Sequence, residues 1–198
     1  MGNRIKSTRR FVFVAYLFAV LFSSGCLFID KRNAEAPLQD SGGRTPPLSS
    51  AELLSQLSQA FQLRNPSAYL QAFDNSGAYL YTADAEAASR YGAALDSFTY
   101  AREERFAQSI FSRTSLPVDS ASTATFTIQS DQPQSGGSTV EMTYTIQMGL
   151  TVSVPRQVSG RAVLTLVRGT DGGFVIRSWR DNTSGNDPTL ADWKARIL

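Results

Sequence analysis

Alternating apolar and polar residues in the C-terminal half constrain the fold of this chain most strongly. From Val140 to Met148 every second residue is apolar, and polar residues lie between them. A period of two is typical of a strand that buries one face. The alternation continues after Gly149 to Val154, so the sequence predicts one strand of roughly 15 residues, which bends at Gly149 and ends at Pro155.

Further strands are predicted on both sides of this bent strand. Ala124–Gln129 alternates upstream of it, and the polar segment Gln132–Gly137 is the predicted hairpin loop between the two. Downstream, Val158–Val167 and Phe174–Arg180 alternate around the turn residues Arg168–Gly173. The sequence therefore predicts a long, strongly curved antiparallel meander.

The segment before the meander is predicted to be mainly helical. Ser49 and Glu52 form a capping-box pattern at the start of the first helix, and Asn65-Pro66 ends it and starts a second. The remaining predictions are a short strand at Ala78–Tyr81, a partly helical stretch at 82–96, and a third helix over Ser97–Phe111.

The N-terminus carries the features of an export signal. Four basic residues in positions 1–10 precede the apolar run Phe11–Phe22, and small residues follow it. Ser24-Gly25-Cys26 resembles the lipobox of bacterial lipoproteins, although Ser23 stands where a leucine is usual. The resemblance implies cleavage before Cys26 and lipid attachment to that residue, hence a domain held outside the cytoplasm in the cell envelope, at the outer membrane or the periplasmic face.

An uncleaved membrane anchor is the alternative, because Phe11–Ile29 is just long enough to span a bilayer. Residues 27–48 are rich in polar residues, glycine and proline, which is typical of a flexible tether. We therefore predict a signal at 1–25, a lipidated tether at 26–48, and one folded domain at 49–198.

Composition excludes several classes of function. The chain has 19 basic and 17 acidic residues, and removing the four basic residues of the signal leaves 15 against 17. This balance argues against nucleic-acid binding. The chain has no histidine and one cysteine, which excludes an internal disulfide, a Ser-His-Asp or Cys-His system and a histidine-based metal site. We predict no cofactor and no metal.

Glu103 is the one acidic residue that the helical pattern places among apolar neighbours. At 100° per residue it lies at the centre of the face formed by Tyr100, Phe106 and Ile110. A lone buried carboxylate costs several kcal/mol, so Glu103 needs a partner, a proton or a wet cavity.

The element order resembles the nuclear transport factor 2-like (SnoaL-like) superfamily over residues 49–198. The resemblance includes the helix break at Arg64–Tyr69, the segments Gly160–Leu166 and Gly172–Asp181, and a last strand that ends in Trp-x-Asp. It implies an α+β fold in which a curved antiparallel sheet wraps the helices. A cystatin-like module is the alternative.

The resemblance also implies a pocket between the sheet and the helices. In it an acidic general base would be Glu103, with Tyr100, Tyr81 or Tyr144 as donors. Trp179 is predicted to share a strand face with Val175, Arg177 and Asp181, and it could line such a pocket. The structural interpretation is that Glu103 pairs with Arg90, Arg177 or Arg180, that Trp179 closes the core, and that Asp181 starts the turn after the last strand.

Three functions remain open from the sequence. The favoured one is a non-enzymatic envelope lipoprotein that binds a protein partner or a small apolar ligand. The second is an isomerase or dehydratase that uses Glu103 as its base. The third is a structural subunit of an envelope assembly.

Overall fold

The computed structural model describes residues 45–112, 115–116, 121–183 and 187–198. All of its described elements belong to the unit Gly43–Leu198. The predicted signal, most of the predicted tether and Cys26 lie outside the described residues.

The described residues form α-helices and strands in the predicted succession, with an additional short strand before the third predicted helix and an additional helix near the C-terminus. In chain order the elements are α1 (Ser50–Gln62), α2 (Pro66–Leu70), β1 (Leu80–Thr82), α3 (Ala85–Tyr91), a 3-10 turn (Gly92–Ala94), β2 (Phe98–Thr99), α4 (Tyr100–Ile110), β3 (Ser122–Gln134), β4 (Gly137–Met148), β5 (Gln157–Arg168), β6 (Phe174–Asn182) and α5 (Leu190–Ile197).

The six strands form one curved, unclosed sheet in the order β2-β1-β6-β5-β4-β3. The pairs are antiparallel except for β1 and β6, which are parallel. One face of β4 and β5 is buried at every second residue, and the other face is more exposed. The predicted fold class, an α+β fold with a curved antiparallel sheet and helices on it, is confirmed.

The start of α1 follows the predicted cap. The Ser49 side chain accepts a hydrogen bond from the Glu52 N–H, and Glu52 accepts one from the Leu48 N–H at 2.7 Å. The buried face of α1 packs along β3, where the Ser58 hydroxyl donates to the Ala124 carbonyl at 2.5 Å. These contacts hold the first helix against the outermost long strand.

The predicted bend at Gly149 is wrong, because β4 ends at Met148. Beyond Met148 the backbone N–H groups no longer bond to a neighbouring strand. The Leu150 N–H donates to the Met148 carbonyl at 3.0 Å, and the Thr151 N–H donates to the Ser115 carbonyl at 2.7 Å. Irregular pairing occurs instead in β3 and between β5 and β6, where an extra residue bends a strand and increases its twist.

The irregularity in β6 decides which of its side chains face the core. Leu166 pairs with Ile176 and Thr165 pairs with Ser178, so Arg177 is an extra residue without a partner in the ladder. Ile176 and Trp179 are therefore both buried, although three positions separate them. The prediction that Trp179 shares a face with Arg177 is wrong for this reason.

Two other boundaries differ from the prediction. The third helix begins at Tyr100 rather than Ser97, because Phe98–Thr99 pairs with β1 as a short strand. The hairpin between β3 and β4 is shorter than predicted, since β3 continues to Gln134 and Gly136 turns the chain with φ 81°.

Candidate functional site

Glu103 lies on the buried face of α4 and is 0% exposed. Its carboxylate accepts hydrogen bonds from the Tyr69 hydroxyl at 2.5 Å and from the Tyr79 hydroxyl at 2.8 Å. The ammonium of Lys194 contacts both carboxylate oxygens, one of them at 2.5 Å. Three buried donors, one of them a cation, therefore converge on this carboxylate.

Lys194 enters this site from α5 and is 1% exposed. Its Nζ lies 4.3 Å from the ring centroid of Phe98 and 4.6 Å from those of Tyr81 and Phe106. The negative faces of aromatic rings attract a cation, and more strongly when water is excluded. The ammonium thus has a carboxylate and three rings around it.

Asp181, near the end of β6, is a second buried carboxyl group and is 0% exposed. It accepts hydrogen bonds from the Tyr81 hydroxyl at 2.8 Å, the Tyr144 hydroxyl at 2.7 Å and the Ala191 N–H at 3.3 Å. The Tyr144 hydroxyl in turn accepts from the Leu190 N–H at 2.9 Å. Asp181 therefore binds the first turn of α5 both directly and through Tyr144.

Burial dominates the titration of Tyr69, Tyr79, Lys194 and Asp181. It raises the pKa of the Tyr69 and Tyr79 hydroxyls, and the Glu103 charge raises them further, so both tyrosines are neutral donors. Burial lowers the pKa of Lys194, and Glu103 opposes that change. Burial raises the pKa of Asp181 to about 7, against the opposing hydrogen bonds from Tyr144 and Tyr81.

The raised pKa of Asp181 predicts a pH-dependent stability. Its folded-state pKa lies above the ordinary value of an aspartate, so the folded protein binds the proton more tightly than the unfolded chain does. Between pH ~4 and ~7 the free energy of unfolding should fall as pH rises, and this contribution should be absent above the folded pKa.

Urea unfolding measured at several pH values would check this slope, with Asp181→Asn as the matched variant. The difference between wild type and variant isolates Asp181 from carboxyls such as Asp74, whose pKa is lowered by its hydrogen bonds and Arg177. A wild-type slope that persists unchanged in Asp181→Asn would contradict the assignment.

The structure separates the tyrosines that we predicted around Glu103. Tyr81 and Tyr144 donate to Asp181 rather than to Glu103, and Tyr100 is partly exposed in the first turn of α4. Trp179 is buried against Tyr144 with ring centroids 5.9 Å apart. Asp181 lies within β6, so the interpretation that it starts the following turn is wrong.

The predicted arginine partners of Glu103 lie elsewhere. Arg90 bonds to Glu86 on α3, Arg177 bonds to Asp74 at 3.0 Å, and Arg180 is exposed. Sequence reasoning missed all three partners of Glu103, which are Tyr69, Tyr79 and Lys194. No local signal marks Lys194, because it faces the core only after α5 has formed and packed.

Two surface pockets lie away from these carboxyls. An open groove of about 600 Å³ is formed by α1 residues that include Leu54 and Ser55 and by Ala124–Ile128 of β3. A second pocket of about 120 Å³ lies between α3 and α5 and is lined by Arg90 and Asp192, among others. Neither pocket is lined by Glu103 or Asp181.

Within the described ranges no group of three or more histidine, cysteine, aspartate or glutamate residues could hold a metal ion. In the same part of the chain, each helix is too short or too polar to cross a membrane.

No protein-family model and no curated protein matches this chain. Among solved structures, a protein from Novosphingobium aromaticivorans that is provisionally assigned as an aromatic ring hydroxylase is similar with a TM-score of 0.55 and 12% identity. The similarity covers 73% of this chain and 92% of that one.

Weaker similarities include a nuclear transport factor 2-like superfamily protein from Salmonella enterica, with a TM-score of 0.49, 10% identity, and 70% and 87% of the two chains covered. A ketosteroid isomerase-like protein from Erwinia carotovora has a TM-score of 0.45, 11% identity, and 66% and 90% covered. At such identities structural likeness extends to the fold alone. The chain thus shares the α+β architecture of the Novosphingobium protein.

Proposed function

We propose that this protein is a non-enzymatic envelope lipoprotein whose domain at residues 49–198 binds a partner. In this proposal Cys26 carries the lipid that attaches the protein to the membrane, and residues 26–48 are the tether. The support for the anchor is the basic N-terminus, the apolar run and the Ser24-Gly25-Cys26 pattern.

The hydrogen bonds and the ion pair that Glu103 makes within the protein are the observation that supports the non-enzymatic part of the proposal. A general base must reach the proton that it abstracts from a substrate. Glu103 instead binds two tyrosine hydroxyls and Lys194, and all four side chains are buried among core residues. Because the Lys194 ammonium neutralises the Glu103 carboxylate, the two side chains act as a structural ion pair.

The groove between α1 and β3 is the surface that we assign to a protein partner or a small apolar ligand. Its volume of about 600 Å³ lies within the range of known ligand sites. Leu54 and Phe126 provide apolar surface there, and Ser55 and Ser58 provide hydroxyls. No charged side chain lines it, which favours an uncharged ligand surface.

Site-specific photo-crosslinking in the envelope tests this assignment. A photoreactive phenylalanine analogue at Ser55 lies in the groove, and the same analogue at the exposed Glu141 on β4 is the matched control. We expect one defined cross-linked product from position 55 that is absent from position 141. Identical products from both positions, or none from either, would refute the assignment.

Lipid attachment has its own prediction. Cys26→Ala should abolish incorporation of an alkyne-labelled fatty acid and release the protein from the membrane fraction. Each CH₂ group of an acyl chain that is buried in the bilayer contributes about 0.8 kcal/mol to membrane binding, and the variant loses all of them. Fractionation and mass spectrometry of the expressed full chain would check this. A wild type and a variant that both keep the mass of the uncleaved chain and stay in the membrane would favour the uncleaved anchor.

An acid–base enzyme remains the second candidate, with Asp181 rather than Glu103 as its acid–base group. Asp181 is 0% exposed and lines neither pocket, so a substrate could reach it only after α5 moves. Its pKa of about 7 and two tyrosine donors are properties of acid–base groups. Complementation of a deletion strain by Asp181→Asn separates the two candidates. Full complementation by a folded variant favours the binding protein, and loss of complementation favours the enzyme.

A further inference from the structure

Strand β3 lies at the edge of the sheet, and within the described part of the chain β4 is its one neighbouring strand. The Met148 N–H donates to the Arg156 carbonyl on the β5 side, so Thr145, three residues earlier, directs its backbone groups toward β3. Thr145 pairs with Thr125. Thr125 therefore bonds to β4, and the backbone N–H and carbonyl of the next residue, Phe126, point away from the sheet.

A hydrogen bond from α1 agrees with this direction. The Ser58 hydroxyl donates to the Ala124 carbonyl at 2.5 Å, and Ala124 lies two residues before Phe126. The outward-directed residues are thus Ala124, Phe126 and Ile128. No other strand among the described residues pairs with the outer edge at Phe126 and Ile128. Such unpaired backbone groups are a template for pairing with another chain.

The groove between α1 and β3 follows this edge. Its lining includes side chains from both faces of the strand, Thr125 and Thr127 from one face and Phe126 and Ile128 from the other. A groove that is lined by both faces of a strand opens along the edge of that strand. The lining ends at Ile128, next to the irregular register between Ile128 and Ser130, and such irregularities end strand pairing.

Helix α1 forms the opposite wall of the groove with small and polar side chains. Ala51, Ser55, Ser58 and Gln62 share one face of the helix, and Ser55 and Gln62 are exposed. An extended peptide carries backbone groups along both of its edges. The edge of β3 would bond to one set, and the hydroxyl and amide groups of α1 to the other. No charged side chain lines the groove, so a matching segment is itself uncharged.

We propose that the groove binds an extended, uncharged segment of a partner protein, which adds to the sheet as a strand beside β3. Its backbone bonds to Phe126 and Ile128, and every second side chain packs against Leu54 on α1. This strand addition rests on the proposed function of the groove, since the partner must first bind there.

Ile128→Pro tests the backbone bond. The substitution removes one outward N–H, a position at which an edge strand accepts proline because the ladder does not use that N–H. The matched variant Ile128→Ala shortens the side chain and keeps the N–H. With the photoreactive residue at position 55 of the full chain, Ile128→Pro should lower the yield of cross-linked product about tenfold relative to Ile128→Ala. Far-UV circular dichroism checks that both variants fold.

Two lysine variants test the same strand addition if Ile128→Pro does not fold. Thr125 and Thr145 are exposed cross-strand partners, and Thr125 lies on the edge strand, whereas Thr145 lies on β4 inside the sheet. A lysine on an edge strand opposes the addition of another strand. Thr125→Lys should therefore lower the yield of cross-linked product, and Thr145→Lys should leave it unchanged.

Mass spectrometry of the cross-linked product identifies the occupant. An uncharged segment of another protein, lost in Ile128→Pro or Thr125→Lys alone, is the expected result. Equal product from both members of each pair would overturn strand addition and leave the groove as a partner site, whereas no product from position 55 in the parent chain would overturn both proposals. A product with the mass of two copies of this chain, or a cross-linked lipid, would also overturn strand addition by a partner.

Discussion

Glu103→Gln is expected to lower the free energy of unfolding by about 3–5 kcal/mol, because it leaves the Lys194 ammonium buried without a counter-ion. Both side chains of the pair are at most 1% exposed, so water cannot replace the lost partner. The hydroxyls of Tyr69 and Tyr79, which donate hydrogen bonds to Glu103, would also lose a charged acceptor. Urea unfolding at pH 7 followed by far-UV circular dichroism measures the change.

Two matched variants make this result specific. Glu103→Gln/Lys194→Met removes both charges and should recover much of the loss, since a buried ion pair can be replaced by apolar groups at little cost. Glu86→Gln breaks the exposed ion pair with Arg90 and should change stability by at most ~1 kcal/mol. A loss below about 1 kcal/mol for Glu103→Gln would instead favour Glu103 as a general base.

Trp193→Ala is expected to cost about 3–5 kcal/mol, the usual range for truncating a buried tryptophan. Trp193 is 0% exposed and is the largest side chain that α5 buries. Its Nε1 also donates to the Pro155 carbonyl at 2.7 Å, which ties α5 to the segment before β5. The loss would therefore combine a cavity with an unpaired backbone acceptor.

Chemical denaturation and hydrogen exchange of α5 would check this second prediction. Trp193→Phe keeps much of the ring and loses the donor, so its cost should be smaller, about 1–3 kcal/mol. Leu198→Ala, at a position that is 46% exposed, should be nearly neutral. If Trp193→Ala were as mild as Leu198→Ala, α5 would contribute little to the folded state.

The two predictions concern the helix that sequence reasoning did not identify. Strands β4 and β5 alternate with a period of two along most of their length, a pattern that the sequence itself shows. The segment at α5 is short, carries Lys194 within its apolar face, and follows a polar loop, so it has the pattern of a tail. Its capping box at Thr189 and Asp192 is the one local signal for a helix.

The burial of Glu103 was predictable and its partner was not. Helical spacing at 100° per residue places Glu103 among apolar neighbours without any tertiary information. Lys194 lies 91 residues away in sequence, and no local pattern distinguishes it from Arg90, Arg177 or Arg180. Choosing among distant cations requires the packing of α5 against α4, which is a property of the assembled domain.

Local patterns in the sequence determined the α+β class, the caps of α1 and α2, the order of the long strands and the inward direction of Glu103. Each depends on residues within a few positions of one another, because backbone periodicity and capping are short-range effects. Tertiary structure decided the extra residue at Arg177, the parallel pairing of β1 with β6, and the meeting of Lys194 with Glu103. All three features depend on how segments that are distant in sequence pack into one core. A buried charge without a partner is too costly there, so the stable packing is one that pairs Glu103 with Lys194.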